Sequence, residues 1–130
     1  MSRPRVAIVG MGGYAGQHRK AVARAVEGGR AVHAAQVAPP GDHEPFADEL
    51  TAMRTAGVVI YNSLRDLLAA KRSELDLVCV PTGIPLHRVM TTTVLEAGCN
   101  VLVEKPAAGC IQDVDAMIRA RVTADRHAMV

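Results

Sequence analysis

A chain of 130 residues is about the size of one domain, long enough to bury a core and too short for two large domains. The formal charge is +2, from 15 basic and 13 acidic residues without a long run of either sign, so charge favours neither a nucleic-acid nor a membrane partner. Apolar residues make up 49% of the chain and aromatic residues only 2%, which favours an aliphatic α/β core.

The first apolar run and the cysteines indicate a cellular compartment. The first apolar run reaches Gly10 after only four residues (6–9), too few for a signal peptide or for the roughly 20 residues of a membrane-spanning helix. Cys79, Cys99 and Cys110 lack C-x-x-C spacing, which predicts reduced thiols in a cytoplasmic protein. The histidines show no metal-ligand spacing, so no metal site is predicted.

Short apolar runs bounded by turn residues predict strands along the chain. They cover residues 5–10, 29–38, 57–62, 75–80 and 100–104. These runs are nearly continuous rather than alternating, as expected of strands that are covered on both faces. The closing "HAMV" (127–130) predicts the start of a sixth strand, in which case the C-terminus would be a cut rather than a natural end.

Helices are predicted between the strands from caps and from apolar residues at helical spacing. Ser63 and Asp66 fit a capping box, and Gly57 and Gly98 fit the ends of two helices. The apolar residues that mark the helices are Phe46, Leu50 and Met53, then Leu86, Met90, Val94 and Ala97, and finally Ile111, Val114, Ile118 and Val122. The cluster His18-Arg19-Lys20 (18–20) is interpreted as a solvated helix face.

The repeated alternation of strand and helix predicts right-handed crossovers that build one parallel sheet. The expected fold class is therefore α/β, a doubly wound parallel sheet of five to six strands in three layers, helix, sheet and helix. In such a sheet, ligands bind at the carboxyl ends of the strands.

The stretch "VAIVGMGGYAG" (6–16) places Gly10, Gly12 and Ala15 at the positions of a G-x-G-x-x-G/A fingerprint between a strand and a helix. Gly10 permits a tight turn, Gly12 lets the backbone approach a pyrophosphate, and Ala15 lets the helix pack close to the sheet. A glycine-rich turn can also simply connect two elements, but its context favours dinucleotide binding. No Gly-Lys-Ser/Thr follows, which excludes a Walker-type loop.

The acidic residue that usually holds the ribose is missing from the end of the second strand. That end reads Val37-Ala38-Pro39-Pro40 (37–40), and Asp42 and Glu44 lie beyond the two prolines. No arginine in this stretch is placed to bind a 2′-phosphate. The choice between NAD and NADP is therefore left open by the sequence.

Polar residues end the fourth and fifth strands, at the edge where the glycine loop is expected. Pro81 and Thr82 follow "LDLVCV", and Glu104 and Lys105 follow "NVLV". His87 lies in the first turn of the helix that begins at the same crevice. From the residues alone, Glu104 and Lys105 fit a ligand site or a solvated ion pair, and His87 fits a ligand site or a plain helix face.

Three stretches together, "VAIVGMGGYAG", "DLVCVPTGIPLH" and "VLEAGCNVLVEKPAA", resemble the N-terminal NAD(P)-binding Rossmann domain of the Gfo/Idh/MocA oxidoreductase family. The resemblance covers nearly the whole chain, and its most specific element is Glu-Lys-Pro at a strand end after a helix that ends in Glu-Ala-Gly. It implies a dehydrogenase that uses NAD or NADP and acts on sugars, polyols or related cyclic alcohols.

The resemblance also implies roles for individual residues. Lys105 corresponds to the family's active-site lysine, and His87, which would border the nicotinamide, is the second catalytic candidate. The implied cofactor-binding residues are Gly10, Gly12, Gly13, Tyr14, Ala15, Ala38, Pro81, Thr82, His87, Glu104 and Lys105. Ala38 and the following prolines replace the family's acidic or cofactor-selective residue.

Members of this family carry a second, C-terminal α/β domain that supplies the substrate pocket and much of the oligomer interface. We therefore expect residues 1–130 to be a dinucleotide-binding domain without that substrate domain, which binds cofactor but turns over substrate poorly or not at all. The expected partners are the dinucleotide, a small sugar or polyol, and a partner domain or a second copy of the chain. The alternative is a non-catalytic dinucleotide-binding sensor or subunit.

Overall fold

The computed structural model describes residues 2–130 and contains one sheet of six parallel strands. The strands are Arg5–Val9 (β1), Val32–Val37 (β2), Val59–Tyr61 (β3), Leu77–Val80 (β4), Asn100–Val103 (β5) and Ala128–Met129 (β6). Their order in the sheet is β3-β2-β1-β4-β5-β6. This is the strand order of the doubly wound Rossmann fold, so the predicted fold class is confirmed.

Within residues 2–130, five α-helices connect the strands. They are Ala15–Glu27 (α1), Ala47–Thr55 (α2), Leu64–Lys71 (α3), Ile84–Glu96 (α4) and Ile111–Ala124 (α5), with short 3₁₀ turns at Pro40–Asp42 and Arg72–Glu74. The predicted sixth strand is present as β6. Across residues 2–130, the structure has no helix with the length and apolar character needed to cross a membrane.

The core lies on both faces of the sheet, as the alternation of β1 shows. Ala7 and Val9 pack with the helices α3, α4 and α5, whereas Val6 and Ile8 pack against α1. A third cluster around Leu50 of α2 covers the outer strands on the α1 side. The three predicted layers are thus present, and mainly aliphatic side chains fill the space between them.

Local signals in the sequence fix the ends of the helices. The Ser63 hydroxyl accepts a hydrogen bond from the Asp66 N–H over 3.1 Å, so Ser63 caps α3 as predicted. Gly57 and Gly98 adopt φ values of +90° and +87° just after α2 and α4. Because residues with a Cβ are strained in this left-handed conformation, glycine is favoured at both positions. Gly57 and Gly98 thus end α2 and α4, also as predicted.

The predicted buried face of α4 needs a correction. Leu86 was expected on it but is 47% exposed, whereas His87 and Thr91 are fully buried with Val94 and Leu95. The other three predicted residues, Met90, Val94 and Ala97, pack in or against the main core cluster as expected. The prediction counted only apolar residues and so omitted His87, which can be buried because both of its ring nitrogens contact backbone oxygens.

The helix α5 is present as predicted, but most of the apolar residues that mark it do not face the core. Ile111, Ile118 and Val122 are 67%, 55% and 62% exposed. The side chain that α5 buries is Met117, which is 6% exposed and packs with the main core cluster. The spacing of the apolar residues therefore predicted the helix but not the face it buries.

The three cysteines are free thiols, as predicted, and they differ in environment. Cys79 and Cys99 are buried, and Cys110 is exposed just before α5. Burial raises the pKa of the Cys79 thiol to about 12, so this side chain stays protonated and serves as a small apolar residue of the core.

Neighbouring residues of α5 test the corrected face. Met117→Ala is expected to lower the free energy of unfolding by about 2–3 kcal/mol, because it opens a cavity in the core. Ile118→Ala removes a side chain that is 55% exposed and should cost less than about 0.5 kcal/mol. Urea unfolding followed by far-UV circular dichroism measures both losses in the free energy of unfolding. A larger loss for Ile118→Ala than for Met117→Ala would indicate that Ile118 is the buried residue.

Candidate functional site

A cavity of about 490 Å³ opens at the carboxyl edge of the sheet, where the strand order reverses between β1 and β4. The loops after β1 and β4 and the turn after β2 form its walls. The lining residues are Val9, Gly10, Met11, Gly12, Gly13, Tyr14, Asp42, Pro81, Thr82 and Gly83. Six residues predicted to bind a cofactor are among them, namely Gly10, Gly12, Gly13, Tyr14, Pro81 and Thr82.

The first turn of the glycine loop is anchored to β2. Gly10 adopts a φ of +102°, its N–H donates to the Val37 carbonyl over 2.9 Å, and its carbonyl accepts from Gln36 Nε2 over 2.7 Å. Gln36 is fully buried. Gln36 was not among the predicted site residues, although a single amide in the apolar run of the second strand is a signal that could have found it.

The rest of the loop offers hydrogen-bond donors to the cavity. In the part of the chain that the structure describes, the N–H groups of Met11, Gly12, Gly13 and Tyr14 have no acceptor, and α1 begins at the next residue. A Cβ added at Gly12 would meet nothing within 4 Å. Free donors, a helix N-terminus and open space above the backbone fit the pyrophosphate of a dinucleotide.

An arginine of α1 braces the same loop. Arg19 Nη1 donates to the Met11 carbonyl, and the guanidinium lies 5.8 Å from the centre of the Phe46 ring. Arg19 is half-buried rather than solvated, so the prediction of a solvated helix face is wrong for this residue. Its charge is used to hold the loop against α2.

The same prediction is wrong for His18, which is 8% exposed. His18 Nε2 lies 2.7 Å from Glu104 Oε1, a contact that joins α1 to the end of β5. Glu104 was predicted to contact the cofactor, but it does not line the cavity and one of its carboxylate oxygens is bound to His18. Lys20 alone in this cluster is exposed as predicted.

His87 was predicted to border the nicotinamide, and the structure buries it completely. Its ring nitrogens lie 2.8 Å from the Thr82 carbonyl and 2.9 Å from the Pro106 carbonyl. Carbonyl oxygens only accept, so each of these hydrogen bonds is donated by a ring N–H of His87. In this geometry neither nitrogen is free to reach a ligand, and His87 instead joins the loops that follow β4 and β5.

Lys105 and two alanines complete the set of predicted residues. Lys105 is exposed next to a cis peptide bond to Pro106, and within residues 2–130 its amine makes no hydrogen bond or ion pair. Ala15 is 1% exposed under the start of α1. Ala38 is fully buried against Met11 and Leu50, so the cofactor contact predicted for it is not available to its side chain.

A doubly wound sheet whose switch point carries a glycine turn with free N–H groups defines a dinucleotide-binding domain. A comparison with family models specifies the class further. The model described as "Oxidoreductase family, NAD-binding Rossmann fold" matches residues 4–130, and the chain belongs to this Gfo/Idh/MocA family. The resemblance drawn from the sequence is thus confirmed, and the chain is an NAD-binding domain.

Solved structures support this assignment. The WlbA dehydrogenase from Chromobacterium violaceum, crystallised with NADH and UDP-GlcNAcA, is 30% identical over 97% of this chain, with a TM-score of 0.80. The WlbA dehydrogenase from Bordetella pertussis is 28% identical over 98% of this chain, also with a TM-score of 0.80. Biliverdin reductase from Synechocystis sp. PCC 6803, crystallised with biliverdin and NADP⁺, is 28% identical over 97%, with a TM-score of 0.75.

The chain spans 34%, 36% and 37% of these three proteins, or about a third of their length. No curated protein sequence matches the chain significantly.

A substitution at Gly12 tests whether the glycine loop binds a ligand or only connects β1 to α1. Gly12→Ala should leave the melting temperature nearly unchanged, because the added Cβ meets no atom within 4 Å and φ is not left-handed. It should weaken NAD binding at least about tenfold, since the methyl group keeps the pyrophosphate from the backbone. Calorimetric titration measures the affinity, with Gly28→Ala at the far end of α1 as the control. Unchanged NAD affinity in Gly12→Ala would contradict the site.

His87→Ala tests whether this residue holds the loops or touches the ligand. The change leaves two carbonyls without their partner and opens a cavity, so the free energy of unfolding should fall by about 2–4 kcal/mol. Arg88→Ala, which removes only an exposed ion pair with Asp113, should cost less than about 1 kcal/mol. Urea unfolding measures both. A stable His87→Ala protein with weakened NADH binding would instead support direct contact.

Proposed function

We propose that this chain is the cofactor-binding part of an NAD-dependent oxidoreductase that transfers hydride to or from an alcohol carbon of a sugar or polyol. The observation that carries the proposal is the amine of Lys105. It stands exposed at the end of β5, on the same edge of the sheet as the glycine loop, and makes no hydrogen bond within residues 2–130.

The surroundings of Lys105 suit a residue that acts on a bound substrate. The Glu104 N–H donates to the Val80 carbonyl over 3.4 Å, which keeps the end of β5 beside β4. Glu104 itself is bound to His18, so the carboxylate next to Lys105 is already engaged. The ammonium is therefore available to donate a hydrogen bond to a substrate oxygen and to hold a proton there. NAD, when bound, supplies the hydride chemistry.

The relatives support the class of substrate. The Chromobacterium violaceum dehydrogenase was crystallised with UDP-GlcNAcA and the Synechocystis reductase with biliverdin. The former has the higher identity and TM-score of the two, which favours a sugar derivative for this chain. Choice of substrate depends on a second wall, and we propose that residues outside these 130 supply it, either in the same polypeptide or in a partner.

Lys105→Ala should separate chemistry from cofactor binding. Because Lys105 does not line the glycine-loop cavity, NADH affinity should stay within about threefold of wild type. Hydride transfer should fall about 10²–10⁴-fold, the usual contribution of a positioned acid or base. Absorbance of NADH measures turnover after residues 4–130 replace the matching segment of the Chromobacterium violaceum dehydrogenase.

Lys20→Ala is the matched control, since Lys20 is an exposed lysine of α1. It should change neither NADH affinity nor turnover. Equal turnover of Lys105→Ala and Lys20→Ala would remove Lys105 from the chemistry and favour the sensor or subunit alternative. High turnover of a sugar or polyol by the 130 residues alone would contradict the proposed need for a second wall.

A further inference from the structure

The end of β2 carries no carboxylate for a ribose, yet the turn that follows it brings an acid to the glycine-loop cavity. After the buried Ala38, the chain passes through Pro39 and forms the 3₁₀ turn Pro40–Asp42. This turn brings Asp42 to the wall of the cavity that also contains Gly10 and Gly12. From the sequence, Asp42 was noted only as lying beyond the two prolines. In the structure, these prolines do not separate Asp42 from the site.

The turn that holds Asp42 is fixed by hydrogen bonds on both sides. The Asp42 N–H donates to the Pro39 carbonyl over 2.8 Å, and the Phe46 N–H donates to the Asp42 carbonyl over 3.1 Å. His43 Nε2 lies 2.9 Å from the Ala38 carbonyl, which ties the turn to the end of β2. Asp42 thus occupies a defined position between β2 and α2.

The Asp42 carboxylate is half-buried and free to accept hydrogen bonds. Within residues 2–130 it makes no ion pair and accepts no hydrogen bond from a side chain. None of the residues that line the cavity is lysine or arginine. Arg19, the arginine that reaches this loop, is held by the Met11 carbonyl. An unpaired acid suits the paired hydroxyls of a ribose and repels a phosphate group.

We propose that Asp42 binds the 2′- and 3′-hydroxyls of the adenosine ribose and makes the domain select NAD over NADP. This inference rests on the proposed function, because it takes the glycine-loop cavity as the dinucleotide site. The role that usually falls to the position of Ala38, just after β2, is moved four residues along the chain, to the end of a 3₁₀ turn.

Calorimetric titration with three ligands tests the proposal on the unmodified chain. The ligands are NAD, NADP and NAD with a 2′-deoxyadenosine. NAD should bind at least about tenfold more tightly than either of the others, because a hydrogen bond to a carboxylate is lost in one and a charge is opposed in the other. Equal affinity for all three would overturn the proposal without recourse to a variant.

Asp42→Asn then assigns the effect to the residue. Its NAD affinity should fall about tenfold, its affinities for NAD and NADP should become similar, and removal of the 2′-hydroxyl should no longer matter. Asp48→Asn is the control, since it makes the same change on the exposed side of α2 and should behave like wild type. The melting temperature of each variant checks that it is folded.

The outcomes distinguish this inference from the proposed function. If Asp42→Asn binds all three ligands as Asp48→Asn does, Asp42 is not the ribose ligand, while dinucleotide binding stands. If the unmodified chain binds none of the ligands, the assigned cavity is wrong and both proposals fall.

Discussion

The hydrogen bond from the buried Gln36 amide to the Gly10 carbonyl is the contact on which the rest of the site depends. It fixes the turn at the switch point of the sheet, together with the bond from the Gly10 N–H to Val37. Gln36 Oε1 has no partner within residues 2–130, and an unsatisfied buried group costs about 1–3 kcal/mol. We therefore infer that Gln36 contributes more to the shape of the glycine loop than to the stability of the core.

Two histidines extend this fixed region to the other strand ends. His87 joins the loops after β4 and β5, and the contact of His18 with Glu104 joins β5 to α1. Polar groups that could have faced the cavity are thus used inside the protein, where their hydrogen bonds compensate for burial. Asp42 and Lys105 have charged groups that make no side-chain hydrogen bond or ion pair within residues 2–130, and these are the two to which we assign ligands.

The sequence predicted the strands and helices well because their signals are local. Apolar runs, the Ser63 cap and the glycine stops depend on neighbours only a few residues away. The apolar spacing did not predict that α4 buries His87 or that α5 buries Met117, because the buried face of a helix depends on which partner it meets. Met117 is buried where Ile118 is exposed, and His87 is buried because oxygens from two separate loops meet its ring.

The same limit applies to the site, of which the glycine loop, Pro81 and Thr82 could be predicted from spacing and strand order. Gln36 and His18 were missed because each contacts residues that are distant in sequence. The position of Asp42 at the cavity was missed because it depends on a turn with no simple pattern.

The order of the strands places Asp42 and Lys105 on opposite sides of the glycine loop. The turn with Asp42 follows β2, the glycine loop follows β1, and Lys105 follows β5, on the far side of β1 from β2. Strands β2 and β5 are three spacings apart in the sheet, about 14 Å at the usual separation.

An extended ligand with its pyrophosphate on the glycine loop would thus lie between a carboxylate and an ammonium. Under the proposed assignments, the acid takes the adenosine ribose and the amine faces the reacting end. A ligand bound in the opposite direction would leave Asp42 without a ribose and Lys105 without a substrate oxygen, so the two charges together favour one orientation.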